Sequence, residues 1–383
     1  MDTTSKDTIA TVLRMAEREV SVAVLGAAGT IAPAIITDLG ESAEVASMAL
    51  LDLDAAKAQA VARAHGSGKA SAAAIDARDV DALASAVEGA DVLVNTASYR
   101  INLEAMRACL QAGCHYLDLG GLYWMTGRQL ELGPEFEQAG RLAVLGIGSS
   151  PGKTNLMAAE AVGRLGPAAA RGVESIDVFA AGRDRAAPDD GRLRPPYAIQ
   201  TLLDELTLEP VVIRDGHADQ IAPLTAGGAV DYGEPIGIAE TIYTLHSELA
   251  TFGESFGCRS ASFRLSLAPA LLARLKELVG APAEEVAAAA RDAASPSNQT
   301  VSVHLVRVST TDGRATTVRA VTRPHFGLGG SVVSTAAPAA ACVRLFARGA
   351  LTAAGAHPPE RCIDPLLMFA ELEARGCTFS FTS

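Results

Sequence analysis

This chain has few lysines and few aromatics, and none of the cysteine or histidine spacings that metal chemistry uses. Five lysines stand against 27 arginines among 383 residues, and no basic run offsets a net charge of −12. So acidic a chain repels nucleic acid, which sets DNA and RNA recognition aside. The six cysteines, at 109, 114, 258, 342, 362 and 377, form no Cys-x-x-Cys pair and no zinc spacing. They read as reduced, small core residues rather than disulfides or ligands. The seven histidines include no His-x-x-x-His pair, so no metal site is expected. No 18-residue apolar span is evident, which argues against a transmembrane helix. The opening "MDTTSKDTIATVLRMAERE" lacks the charged-then-apolar layout of a signal peptide. A cytoplasmic location with no membrane partner is the expectation.

What is present is an ordinary folded composition, 49% hydrophobic and 20% charged, in a chain long enough for two domains. From residue 21 to about 150, short apolar runs alternate with helical patterns. "SVAVLG" (21–26) is followed by a stretch in which Ile31, Ile35, Ile36 and Leu39 share one helical face. Further strands are expected at "ASMALLDLD", "ASAAAID", "DVLVNTA", "HYLDLGG" and "RLAVLGIG". Continuous apolar strands covered on both faces predict a Rossmann-type, doubly wound parallel sheet. After about residue 172 strands follow one another without helices between them, and alternation flanks Asp312-Gly313, a strong hairpin signal. The fold class expected is therefore α/β: the Rossmann-type sheet plus a second α+β domain with a mostly antiparallel sheet. The domains read as 1–150 with 330–383 for dinucleotide binding, and 151–329 for substrate binding and dimerisation.

The first strand-turn-helix carries Gly26-Ala-Ala-Gly29-Thr30-Ile31-Ala32, a variant of the dinucleotide fingerprint. Gly26 permits the tight turn and Gly29 lets the backbone approach a pyrophosphate. Amides from about Thr30 and Ile31 supply donors at the positive end of a helix, and Ala32 allows close packing. Asp52 ends the second strand 26 residues after Gly26, where an acid binds the ribose hydroxyls and repels a 2′-phosphate. NAD is thereby favoured over NADP. Asp54 reads as a helix cap. Asp76 reads either as an adenine contact or as the cap of a helix at 79–88. Asn95, Thr96, Ala97 and Ser98 end the fourth strand at the carboxyl edge, where ligands bind in such sheets.

"GIGSSPGKTN" (146–155) imitates the phosphate loop of nucleotide triphosphatases. That loop needs four residues between its first glycine and Gly-Lys-Thr. Counting back from Gly152, the position falls on Ile147, and Pro151 removes an amide. An ATP site is therefore not expected. Lys153 reads either as a cleft-facing acid or base or as a surface lysine near a helix start.

The segments "DVLVNTASYRINLEAMRACLQAGCHYLDLGG", "GIGSSPGKTNLMA" and "GAHPPERCIDPLLMFAELEARG" resemble the saccharopine dehydrogenase family, in its reductase-type branch. "EPVVIRDGHADQIAPL" and "GIAETIYTLHSELATF" look like the lysine 6-dehydrogenase subgroup. The resemblance covers most of the chain and is weakest in the middle domain. It implies a Rossmann domain completed by C-terminal helices, a middle domain that binds substrate and forms a subunit interface, and hence a homo-oligomer, dimer or tetramer. It implies NAD(P)-linked chemistry at a C–N bond of a small-molecule amino-acid substrate. By position, Tyr99 and Asp118 would face nicotinamide and substrate, with Asp118 catalytic. Lys153 and Asn155 would line the same cleft, although many members carry an apolar residue at position 153. Arg183 would hold a substrate carboxylate, with Arg185 left to solvent. Tyr197 and His246 would lie on the substrate wall, His246 as an acid-base group. Three readings stay open: oxidative deamination through an imine, as in lysine 6-dehydrogenase; reductive condensation of an aldehyde with an amine, as saccharopine or carboxynorspermidine enzymes perform; and a non-catalytic dinucleotide-binding redox sensor.

Overall fold

The computed structural model describes residues 18–187, 192–294 and 296–382. The first 17 residues of the N-terminal stretch read above for a leader lie outside the described residues. The chain begins with β1 (Val20–Leu25), α1 (Ala32–Glu41), β2 (Val45–Asp52), α2 (Ala55–His65), β3 (Ala70–Ala74), α3 (Val80–Ala86) and β4 (Val92–Asn95). A 3-10 turn (Tyr99–Ile101) leads into α4 (Asn102–Ala112). Then come β5 (His115–Asp118), α5 (Leu122–Leu130), α6 (Gly133–Gln138), β6 (Leu142–Val144) and α7 (Lys153–Leu165). The middle of the chain runs through β7 (Val173–Asp184), α8 (Ile199–Thr207), β8 (Val211–Arg214), β9 (His217–Gln220), β10 (Ala226–Asp231) and β11 (Ile238–Tyr243). It continues with α9 (Phe252–Phe256), β12 (Ser260–Ser266), α10 (Pro269–Leu278), α11 (Ala283–Asp292), β13 (Thr300–Thr310) and β14 (Ala315–Thr322). The tail holds α12 (Gly330–Ala347), β15 (Gly355–His357), α13 (Pro359–Cys362), α14 (Pro365–Glu373) and β16 (Cys377–Thr382).

Two compact units result. The first joins the chain up to Leu156 with Thr335–Ala374, and the second joins Met157–Ser334 with Arg375–Ser383. The first unit holds a seven-stranded parallel sheet in the order β15-β6-β5-β4-β1-β2-β3. Strand order reverses beside β1, so a crevice opens outside the carboxyl ends of β1 and β4. The predicted helical face is the one that packs: Ile35, Ile36 and Leu39 are fully buried and Ile31 nearly so. β15 adds a seventh strand, which three short residues in "GAH" could not announce by periodicity. The second unit holds a nine-stranded sheet in which only the β12–β7 pairing is parallel. The hairpin at Asp312-Gly313 forms, joining β13 to β14, and β16 pairs with β14. The last strand thus belongs to the second sheet, whereas the sequence reading grouped 330–383 with the first domain. Its alternation "CTFSFT" suits an edge strand, and backbone pairing decides which sheet takes it.

α12 corrects another expectation. Its 18 residues have a mean hydropathy of 1.3, long and apolar enough to cross a membrane by length and composition. Its window is 83% buried, as a core helix would be. Pro338 inside it falls among small alanines and hid the span from the eye. All six cysteines are free thiols, and all but Cys362 are buried.

A buried ionic network ties the C-terminal helices to the first unit. Arg344, 2% exposed, donates from Nε to Glu371 at 2.6 Å and from Nη1 to Asp38 at 2.9 Å. Arg348 joins Glu371 and Glu44 beside it. Such a network is costly to break because the remaining charges stay desolvated. Arg344→Ala, which takes the guanidinium from Asp38 and leaves Glu371 with Arg348, is expected to lower stability by about 3 kcal/mol, read as a fall in the urea midpoint.

Candidate dinucleotide and substrate sites

The glycine-rich turn is held by backbone bonds from Gly26 and Ala27 to Leu51 O and from Gly29 to Gly26 O. Gly26 takes a left-handed φ of +78°, and a Cβ there would stand 2.7 Å from the backbone of Ala97. No side chain is tolerated on either ground. This close passage is possible because Thr96 hydrogen-bonds both Leu25 O and Gly26 O with its hydroxyl. Ala97 in turn donates its amide to Asn95 Oδ1. α1 begins without any side-chain cap, with Pro33 in its first turn, so its N-terminus is left to a ligand. Ala32 is fully buried, as close helix packing requires. Gly29 and Thr30 are exposed at the tip.

Asp52 sits at the end of β2 and accepts from Ala28 N at 2.9 Å and from Asp54 N at 3.0 Å. Its carboxylate therefore stands against the turn itself, where a ribose would meet it. Asp54 caps α2 by accepting from Lys57 N, as expected. Asp76 is not the cap of the helix at 79–88. It pairs with the Arg78 guanidinium, which holds its carboxyl down to about 2. Asp79 caps α3 instead. Ser98 accepts from Arg100 N and starts the 3-10 turn, on which Tyr99 is half-buried with the Arg100 guanidinium over its ring at 4.8 Å.

Asp118 departs from its expected catalytic role. It is 1% exposed and its oxygens are taken. Oδ1 accepts from Gly120 N at 2.8 Å and Gly146 N at 2.7 Å. Oδ2 accepts from Gln129 Nε2 at 2.6 Å and Asn102 Nδ2 at 3.3 Å. Burial raises its pKa against these donors. It is a clamp on the exits of β5 and β6, since a carboxylate so enclosed has no face left for substrate. Sequence reading missed its partners Asn102 and Gln129, which carry no motif and meet only in space.

The 146–155 turn also resolves. Gly148, Lys153 and Thr154 donate their amides to Pro151 O, Gly148 O and Ser149 O. Gly152 donates to Asn155 Oδ1 at 2.8 Å. No amide of that set remains to cradle a phosphate. Gly152 adopts φ +118°, and a Cβ there would meet Gly148 N at 2.5 Å, so the glycine serves the turn. Asn155 locks the turn, and its Nδ2 donates to Glu360 Oε2 at 2.8 Å. Lys153 is the first residue of α7 and is buried, 1% exposed, which excludes the surface-lysine alternative.

In the second unit, Arg183 on β7 is half-buried and hydrogen-bonds Gly182 O, Ser266 O and Ser266 Oγ. Among the described residues it pairs with no carboxylate. Tyr197 and His246 belong to a buried cluster. The Tyr197 hydroxyl donates to Glu205 at 2.5 Å. His246 stacks on Phe263 with ring centroids 3.5 Å apart. Its Nδ1 is 3.2 Å from Glu248, and its Nε2 is 3.8 Å from Glu205 with no hydrogen-bond partner. Tyr197 is half-buried and His246 buried, each beside a carboxylate of the same unit. Nothing in the sequence marked Glu205 or Glu248, which lie on different elements. A cavity of about 550 Å³ also opens on this sheet, where Arg264 pairs with Asp177 and covers Phe179.

Burial pushes Glu205 up to about 7. The facing carboxylates of Glu248 and Glu205 raise His246 against its own burial. Both groups bind protons more tightly folded than unfolded, so stability from them is complete at low pH and lost as pH rises. For Glu205 the loss runs between its ordinary 4.5 and about 7. Glu205→Gln is expected to flatten this dependence: from about pH 5 to about pH 8 the wild type loses more Tm than the variant, checked by thermal unfolding across that range.

Residues 22–144 match the family described as the saccharopine dehydrogenase NADP binding domain. A carboxyaminopropylagmatine dehydrogenase from Synechocystis sp. is 34% identical over 119 residues. That alignment spans 28% of this chain and 29% of the relative's length. Apo saccharopine dehydrogenase (L-Glu forming) from Saccharomyces cerevisiae superposes with a TM-score of 0.68 at 16% identity, over 95% of this chain and all of the other. Residues 22–144 thus carry the likeness to that domain, and the chain shares the fold of the yeast saccharopine dehydrogenase along its length.

Proposed function

We propose that the protein is an NAD(P)-dependent oxidoreductase acting at a C–N bond of an amino acid or amine. The observation that carries this reading is the passage of Gly26 against Ala97 beneath the uncapped N-terminus of α1, in a domain of this family. The residues fit a dinucleotide: amides of the turn that leads into α1, about Thr30 and Ile31, for the pyrophosphate, and Asp52 as acceptor for ribose hydroxyls. Asp52 favours NAD, since a 2′-phosphate would face its charge. When bound, the nicotinamide accepts or supplies the hydride at the C–N carbon. Arg183 suits a substrate carboxylate, being a guanidinium fork with only neutral partners. Lys153, buried at the turn that follows β6, is the group to take or return the proton at nitrogen.

Two directions of C–N chemistry are compatible with this. The relative's name describes an agmatine bearing a carboxyaminopropyl group, which supports a secondary amine as substrate or product. Reductive condensation of an aldehyde with an amine is therefore the first reading. Lysine 6-dehydrogenase-like deamination is the second, resting on the β8–β9 and β11 segments. The family resemblance supports a homo-oligomer with a small-molecule substrate.

Absorbance of the reduced nicotinamide, followed with either cofactor, in both directions, over a panel of diamino acids and amines, tests the reading. No signal anywhere leaves the redox-sensor reading ahead. Asp52→Ala is expected to weaken NAD about tenfold or more, the value of charge-assisted bonds, and NADP less. Lys153→Met is expected to lower kcat by roughly 100-fold or more with cofactor affinity unchanged; full turnover would remove Lys153 from the chemistry.

A further inference from the structure

The chain has a single tryptophan, and it is 53% exposed. Trp124 lies in the first turn of α5, directly after the exit of β5, on the carboxyl edge of the parallel sheet. In a chain with only seven tyrosines and tryptophans, Tyr99, Tyr123 and Trp124 all follow the ends of β4 and β5. An indole left in water forgoes the burial it would gain in a core.

The backbone there is held, not loose. Leu122 adopts a left-handed φ of +55°, unusual for a branched side chain. The Asp118 carboxylate fixes both sides of this bend, through Gly120 N before it and Gln129 of α5 after it. α5 also packs against the 3-10 turn that carries Tyr99. Tyr123 meets Trp124 edge-on, with centroids 4.7 Å apart at 79°, and so braces the indole from one side.

We propose that Trp124, braced by Tyr123, is the aromatic wall against which the cationic or alkyl arm of the amine substrate lies. This rests on the proposed C–N activity. A ring face attracts an ammonium through its quadrupole and an alkyl chain through its area, the two features that an amine substrate offers. The same sheet edge carries the dinucleotide turn of Gly26 and Asp52, so the ligand-binding end of the sheet and the exposed indole coincide.

Because Trp124 is the sole tryptophan, its emission reports the site without labels. Acrylamide quenching is measured on the full chain with NADH present, with and without lysine, ornithine, cadaverine and agmatine. At least one amine is expected to protect Trp124, whether or not turnover follows. Trp124→Ala is expected to raise the KM or Kd of that amine about tenfold, with NADH affinity held within about twofold, while Trp124→Phe retains most of the affinity. Absence of protection by every amine overturns the proposal, as does an unchanged amine KM in Trp124→Ala. A drop in oligomeric state on Trp124→Ala, seen by light scattering, also overturns it by making this face a self-interface. Protection without turnover keeps the wall and counts against the C–N activity. Turnover without protection does the reverse.

Discussion

The carboxylate of Asp118 is buried where β5 ends, and much of the first unit's ligand edge is arranged around it. It accepts from the amide that starts the β5–α5 bend and from the amide that follows β6. It also accepts from side chains of α4 and α5. A desolvated carboxylate is tolerated only when donors surround it, so each of these segments is held where its donor can reach. The strained step at Leu122, the exposure of Trp124 and the start of the 146–155 turn all follow from that constraint.

The second constraint is the meeting of Gly26 with Ala97. Two strands adjacent at the reversal of strand order pass so closely that a Cβ would collide with backbone. The turn stands next to an uncapped helix start, the feature that an anionic pyrophosphate needs. The turn at 146–155 has similar letters and the opposite physics. The amides of Gly148, Gly152, Lys153 and Thr154 are closed on the turn's own carbonyls and on Asn155, and that of Gly146 on Asp118. Glycine in one place admits a ligand, and in the other admits only the chain.

The parallel sheet and its first turn were legible because each is local: apolar runs and glycine spacing. The cap at Asp54 was legible for the same reason. The roles of Asp118, Asn155, Tyr197 and His246 were not. Each is decided by a partner far along the chain or on another element: Gly146 and Gln129 for Asp118, Glu360 for Asn155, Glu205 for Tyr197. His246 depends on Phe263 and on carboxylates from two elements. The resemblance assigned these residues to substrate, whereas each has a partner within the protein itself. Trp124 carried no motif at all.

By itself, then, the sequence determined that a Rossmann-type sheet forms, where its first glycine turn lies, and that residues 146–155 lack the spacing of a triphosphate loop. Periodicity and glycine spacing are sufficient for these, since they depend on neighbours within a turn or a strand. Only the tertiary structure decided which polar residues are consumed in holding the edge and which are left to meet a ligand. A hydrogen bond or an ion pair needs both partners within about 3 Å, and chain order does not carry that distance.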